Sequence, residues 1–287
     1  VEHAFEDRIR LPDGRMLGFA EYGDRRGLPI INCHGAMSSR LDVAFAAPLC
    51  AEKGVRLLSP DRPGIGLSDP RPGRTMLDWA DDVRVLADAL GLGRFAVFGW
   101  SGGGPYAFAC GARLDDRVTK IGTVGAVASL ERPEAARRLG LWADRMLFPL
   151  AMRAPRIAAV GLTMARRIPA EMLRQTLLRE LPSASDRAVI GALSAKEATG
   201  FFYEALRSGA RGVVEDYRVL GSPWGFELGR LKSEVILWQG EEDTLSPIEH
   251  PHRLAEQIPR ARLIVLPGRG HFLLRPEMPR ILDELVS

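Results

Sequence analysis

Long apolar runs are missing from this 287-residue sequence. A membrane-spanning helix needs about 20 consecutive apolar residues; the stretch 121–130 is a short run broken by glycines, so no span and no membrane partner are expected. Cysteine is scarce. Cys33, Cys50 and Cys110 are odd in number and scattered, which suits neither a disulfide framework nor a zinc site. Small buried thiols in a reducing compartment are the expectation. Residues 1–10 carry charges of both signs and no apolar block, unlike a secretory signal, so a cytoplasmic protein is expected. A strong charge of one sign is missing too. The 39 basic residues face 36 acidic ones, a net charge of +3 that leaves no electrostatic footprint for nucleic acid. Lysine is nearly absent, with 4 against 35 arginines, which reads as a coding bias.

What remains is an ordinary globular composition, 46% apolar and 26% charged, with enough apolar surface to offset the entropy of folding. Short apolar runs alternate with helical patterns, the signature of a mostly parallel sheet covered by helices. Residues 5–10 and 15–22 around Pro12-Asp13-Gly14 read as a hairpin. Strands are expected at 29–33, 55–59, 95–100, 120–127, 235–239 and 262–266, and helices at 41–53, 75–90, 102–114, 249–258 and 276–285. Thr75 with Asp78 resembles a capping box, and Pro105 is tolerated in a first turn. Between 131 and 225 the alternation stops, and several helices without a strand are expected. A helical block between two strands of one sheet is best read as a cap, with residues 1–130 and 226–287 forming the core.

Gly99-Trp100-Ser101-Gly102-Gly103 matches Gly-x-Ser-x-Gly after an apolar strand and before a helix. In that setting the turn is tight, the serine backbone is strained, and the hydroxyl stands free at the sheet's end over the positive end of a helix. The alternative is a glycine-rich turn with an incidental serine. A serine needs a base. Of the five histidines, His271 lies just past the last strand, on a loop that reaches back over the sheet edge. His34 is expected to brace its own loop, His250 and His252 to sit on an exposed helix start, and His3 to be solvated. The imidazole in turn needs a carboxylate to fix its tautomer. Asp243 is preferred over Glu241 and Glu242, which are expected to be solvated. Backbone N–H groups of Gly102 and of Ala36, in His34-Gly35-Ala36-Met37, are the candidate oxyanion donors.

These motifs resemble the α/β-hydrolase family over nearly the whole chain. The resemblance rests on His34-Gly35 after a strand, the elbow at Ser101, Gly240-x-x-Asp243-x-x-x-Pro247 and Gly268-x-Gly270-His271. Asp61-Arg62-Pro63-Gly64-x-Gly66-x-Ser68 also looks like a loop common in these enzymes; it lacks the lysine of a phosphate-binding loop. The family implies an eight-stranded, mostly parallel sheet with a cap after the sixth strand. It also implies that a serine, rather than the aspartate of dehalogenases and epoxide hydrolases, forms an acyl-enzyme, with no metal and no organic cofactor.

The expected substrate is a small apolar carboxylic ester held by Met37, Trp100, Trp142, Met146, Phe201 and Phe202. Arg137-Arg138 and Arg166-Arg167 read as solvated helix faces. Three readings stay open: an esterase; another serine chemistry such as perhydrolase or haloperoxidase-like activity, carbon–carbon bond hydrolysis or proline iminopeptidase activity; and a ligand receptor that retains the triad. The peptidase reading needs cap acids in the pocket, for which Glu171, Glu180, Glu197 and Glu204 are available.

Overall fold

The computed structural model describes residues 4–131 and 137–287. Eight strands form one sheet in the order β1-β2-β4-β3-β5-β6-β7-β8. They are β1 (Ala4–Arg10), β2 (Met16–Gly23), β3 (Leu28–Cys33), β4 (Val55–Pro60), β5 (Phe95–Trp100), β6 (Val118–Val124), β7 (Glu234–Gly240) and β8 (Ala261–Leu266). β1 and β2 are the expected antiparallel hairpin, β2 is antiparallel to β4, and every later pairing is parallel.

Parallel strands buried on both faces alternate which core they feed. In β5, Phe95 and Val97 enter one apolar core while Ala96, Phe98 and Trp100 enter the other. Val235 and Leu237 of β7 likewise oppose Ile236 and Trp238. Helices α1 (Ala47–Glu52) and α11 (Leu274–Val286) cover one face; α2 (Met76–Ala89), α3 (Gly104–Arg113) and α10 (Glu249–Gln257) cover the other. α2 starts where expected: Thr75 Oγ1 accepts the Asp78 N–H at 3.3 Å while the Asp78 carboxylate accepts the Thr75 N–H at 2.7 Å. Its buried Trp79, Val83 and Leu86 contribute about 1.5–3 kcal/mol each.

Two boundaries differ from expectation. The helix expected at 41–53 is a short 3-10 turn, Ala44–Ala46, followed by α1. Pro48 lacks an N–H and is accommodated in the first turn of α1, where no intrahelical partner is required, so the helix restarts there. Upstream, the Asp42 carboxylate is drawn to Asn32 Nδ2 (2.9 Å) and the Gly35 N–H (3.0 Å). β6 ends at Val124 rather than 127, because Gly125 turns to φ +56° after its N–H makes a last bond to the Trp238 carbonyl of β7 at 3.0 Å.

Between β6 and β7 the described residues include the α-helices α4 (Trp142–Arg153), α5 (Pro155–Ala165), α6 (Ala170–Glu180), α7 (Ala184–Gly191), α8 (Ala195–Ala205) and α9 (Arg211–Leu220). No strand interrupts them among the described residues of that stretch. The three cysteines are buried and unpaired. No helix among the described residues is long and apolar enough to cross a membrane.

Candidate active site

β3 and β5 are neighbours, yet the chain leaves β3 toward β4 on one side and returns through β5 on the other. Ligand sites in open α/β sheets lie outside the strand ends at such a reversal, and here the loops after β3 and β5 meet. Ser101 follows β5 with φ +54°, a left-handed conformation costing about 1–3 kcal/mol for a residue with a side chain. The turn is tight enough that a Cβ on Gly99 would lie 2.6 Å from the Gly103 carbonyl oxygen. A Cβ on Gly102 would lie 3.1 Å from the Ala36 nitrogen, so the two backbones touch.

The loop after β3 is gripped from behind. The Arg62 guanidinium donates to the carbonyls of His34 (2.5 Å) and Gly35 (2.8 Å). His34 Nε2 accepts the Arg62 N–H at 3.2 Å, so Nδ1 carries the hydrogen and donates to the Gly35 carbonyl at 3.0 Å. Burial, then the Arg62 charge, hold His34 well below the usual histidine range, which keeps it neutral as this bracing requires. In a trans peptide a carbonyl and the next N–H lie in one plane and point in opposite directions. Fixing the Gly35 carbonyl toward Arg62 therefore turns the Ala36 N–H the other way. Met37 follows at φ +47°, a second non-glycine residue in the left-handed region.

Arg62 is itself fixed. It donates to both oxygens of Asp216 on α9 (2.8 and 2.7 Å), which also receives Arg74 (2.6 Å) and the Tyr106 hydroxyl (2.8 Å). Burial opposes the Asp216 charge, but the two guanidiniums outweigh it and hold the carboxyl well below the usual range.

Across the site, β7 and β8 deliver the other partners. Asp243 Oδ1 accepts the N–H groups of Leu245 and Ser246, both at 2.9 Å, and Oδ2 meets His271 Nδ1 at 2.8 Å. Nδ1 thus carries the hydrogen, leaving Nε2 with a lone pair. Of the three acids in that loop only Asp243 meets the imidazole; Glu241 and Glu242 are exposed, and Glu242 accepts the Ser183 hydroxyl at 2.9 Å. Burial disfavours the imidazolium of His271, but the charges of Asp243, Asp186 and Asp144 and the Asp243 hydrogen bond overcome it and raise the pKa. Gly125 lies beneath this pair: a Cβ there would sit 2.9 Å from His271 Nδ1 and 3.0 Å from Asp243 Oδ2.

Ser101 and His271 open into one cavity of about 360 Å³, with Ala36, Met37, Trp100 and Gly102 around them and Trp142, Phe201 and Phe202 above. The Ser101 hydroxyl makes no hydrogen bond among the described residues. Met146 does not line the cavity and is 51% exposed. The α4 face that turns inward carries Asp144 and Phe148, one turn apart, and Met146 falls between them on the other side. Of the cap acids considered from sequence, Glu180 lines the cavity. Glu171 and Glu204 pair with arginines, and Glu197 caps α8.

Four residues escaped sequence reasoning. Asp144 lines the cavity and accepts a hydrogen bond from the Tyr217 hydroxyl; burial raises its pKa. Asp186 of α7 receives the N–H groups of His271 and Phe272. Gly125 was read as an interior residue of the strand expected at 120–127. His250, expected to be exposed, is buried and accepts the Ala128 N–H at 2.9 Å, because the backbone leaving β6 needs an acceptor there. His252 is exposed, as are Arg137, Arg138, Arg166 and Arg167. His3 lies outside the described residues. Among the described residues no cluster of three or more His, Cys, Asp or Glu side chains could hold a metal ion.

Comparison with known proteins agrees with this architecture. Residues 29–275 match the family model described as alpha/beta hydrolase fold. A non-heme chloroperoxidase of Streptomyces lividans is 35% identical over 121 residues, which is 42% of this chain and 44% of that protein. The chain thus spans less than half the length of that relative in the matched region. Among solved structures, a thermophilic esterase from Thermogutta terrifontis superposes with a TM-score of 0.71 at 24% identity, covering 98% of both chains. A bromoperoxidase from Bacillus anthracis gives a TM-score of 0.76 at 19% identity, covering 98% of this chain and 99% of that one. At such identities these two likenesses establish the fold alone.

Proposed function

The chain belongs to the α/β-hydrolase fold family, and on that premise we propose that it is a serine hydrolase of carboxylic esters. One observation carries this reading: a strained Ser101 at a strand-to-helix turn shares a cavity with an imidazole whose Nδ1 is held by a buried carboxylate at 2.8 Å.

His271 Nε2 takes the Ser101 proton as the hydroxyl oxygen attacks the ester carbonyl. Catalytic hydrogen bonds are often open in the free enzyme and close around substrate, in keeping with the free serine hydroxyl. Asp243 keeps Nδ1 protonated and stabilises the imidazolium. The oxyanion is received by the N–H groups of Gly102 and Ala36, the latter aimed by the grip of Arg62 and His34 on the Gly35 carbonyl. The imidazolium then protonates the leaving alcohol, and water, deprotonated by the same base, releases the acid from the acyl-enzyme. The helical insertion roofs the cavity with Trp142, Phe148, Phe201 and Phe202, which suits a small apolar acyl or alcohol group.

The test is turnover of short p-nitrophenyl esters, abolished to background in Ser101→Ala with the fold intact. A folded wild type that neither hydrolyses these esters nor labels with a fluorophosphonate overturns the reading.

The likeness to the chloroperoxidase favours a second reading on the same residues. Hydrogen peroxide in place of water would attack the acyl-enzyme and release a peroxy acid. Peroxide-dependent halogenation in carboxylate buffer, lost in Ser101→Ala, distinguishes this route from plain hydrolysis.

A further inference from the structure

The turn that carries His271 is held by a residue outside the sheet core. The turn, His271–Leu273, begins with N–H groups that no carbonyl within it can accept. Asp186, at the start of α7 in the helical insertion, supplies the acceptors: Oδ2 takes the His271 N–H at 2.9 Å and Oδ1 the Phe272 N–H at 2.7 Å. Its neighbour Ser185 takes the Gly270 N–H at 3.0 Å. Three consecutive donors of the histidine turn thus end on two consecutive residues of α7. The fit leaves no room for another side chain, since a Cβ on Gly270 would overlap the Asp186 carboxylate. Asp186 is 1% exposed, and burial raises its carboxyl pKa, while the Phe272 and His271 N–H groups bonded to its two oxygens and the nearby imidazole favour the charged form.

We propose that Asp186 is a positioning residue for the catalytic base: it fixes the turn bearing His271 and adds a second negative charge beside the imidazole, so the base reaches full strength only with the helical insertion seated on the sheet. This rests on His271 being the base of the proposed reaction.

The charges that face the imidazole come from three elements. Asp243 comes from the loop after β7, Asp186 from α7 and Asp144 from α4. Glu180 of α6 lines the same cavity as the imidazole, and other charged groups of these elements are engaged elsewhere. Arg187 donates to the carbonyls of Leu181 and Pro182, Arg269 pairs with Glu277 at 3.2 Å, and Glu242 accepts from Ser183. Trp100 adds no charge; its indole lies 5.6 Å from the imidazole, centroid to centroid, and its Nε1 donates to the His271 carbonyl. Asp186 is therefore the carboxylate besides Asp243 that bonds directly to the histidine.

The sign follows from the base having to be neutral to act. The fraction of neutral imidazole rises with pH, so a raised His271 pKa sets the acid limb of kcat/KM above the ordinary histidine value of 6.5. Removing a neighbouring negative charge disfavours the imidazolium and moves that limb to lower pH. The experiment compares wild type, Asp186→Asn and Asp186→Glu in two ways: kcat/KM for p-nitrophenyl acetate against pH, and NMR titration of the labelled His271 imidazole without substrate.

Asp186→Asn is expected to lower the His271 midpoint by about half a unit or more and to lower the kcat/KM plateau. Asp186→Glu, which keeps the charge but misplaces it, is expected to lower the plateau with the midpoint near wild type. An unchanged midpoint in Asp186→Asn overturns the proposal. The imidazole titration needs no turnover, so failure of the esterase reading and failure of this one give different results. Should Asp186→Asn not fold, hydrogen exchange in the wild type decides. The His271 and Phe272 amides are expected to exchange in step with α7; exchange in step with the amides of β7 overturns the proposal.

Discussion

Helices α2 and α6 are both amphipathic, but they end in different surroundings. α2 buries Met76, Trp79, Ala80, Val83, Leu86 and Ala87 against the sheet, whereas α6 has no buried residue. The contrast extends to the regions they belong to. Among the described residues, seven of the ten large apolar side chains left exposed lie between 142 and 172, in the first helices of the insertion, whose inner side borders the cavity. The sheet core is held by packing throughout. The insertion joins that core through Val213, Val214, Tyr217 and Leu220 of α9, and its other helices are tied down by polar joints: Asp216 to Arg62 and Arg74, Glu204 to Arg40, Asp186 to the histidine turn, and Ser183 to Glu242. Regions with few buried apolar contacts open most readily, which suits a roof that must admit substrate over a floor that must not move.

This division can be tested by variants on either side of it. The largest effect belongs to the floor. Asp243→Asn removes the acceptor that sets the His271 tautomer and is expected to lower kcat about 10⁴-fold, read by steady-state kinetics with circular dichroism as the check on folding. A comparable loss from a variant that alters only the roof would break the contrast. Next comes a joint between the two regions. Asp216→Leu leaves two wholly buried guanidiniums uncompensated, and urea denaturation is expected to show a loss of about 3–5 kcal/mol in a single transition. A loss below about 1 kcal/mol would mean that this joint does not tie the insertion to the core.

Smaller effects belong to the roof. Phe201 packs edge-on against Trp100 with centroids 6.2 Å apart. Phe201→Ala is expected to raise kcat/KM for bulky acyl chains about tenfold relative to acetyl; an equal change for every ester would separate the insertion from substrate choice. The smallest effect compares one motif in both regions. Thr75 with Asp78 and Ser194 with Glu197 are both capping boxes, on α2 and α8. Thr75→Ala is expected to lower global stability by about 1 kcal/mol. Ser194→Ala should show its loss mainly in faster amide exchange along α8, and an equal global loss would erase the distinction.

Legibility in the sequence followed the same division. The elbow at Ser101 is local: strand, serine and glycines fall within a few residues, and the positive φ follows from them. The succession of strands along the chain and the loops after β3, β7 and β8 were readable for the same reason. His34 was readable as a brace because it follows a strand, but the guanidinium it works with arrives from Arg62, 28 positions on. Asp186 and His271 are separated by 85 positions, and no spacing or periodicity signals such a bond. Met146 was chosen by residue type, and only the rotation of α4 tells inward from outward. His250 was taken as exposed because it stands near a helix start, whereas the demand of the Ala128 amide drew it in.

The insertion leaves from β6 and returns to β7, two strands that lie side by side. On topology alone it is a removable attachment, since a different set of helices could join the same two strand ends without altering any register in the sheet. The chemistry of the histidine turn says otherwise. A chimera carrying foreign helices between β6 and β7 would lose the acceptors for Gly270, His271 and Phe272, and each buried donor left unmet costs about 1–3 kcal/mol. Exchanging this roof for a new specificity therefore requires grafting the Ser185-Asp186 pair along with it.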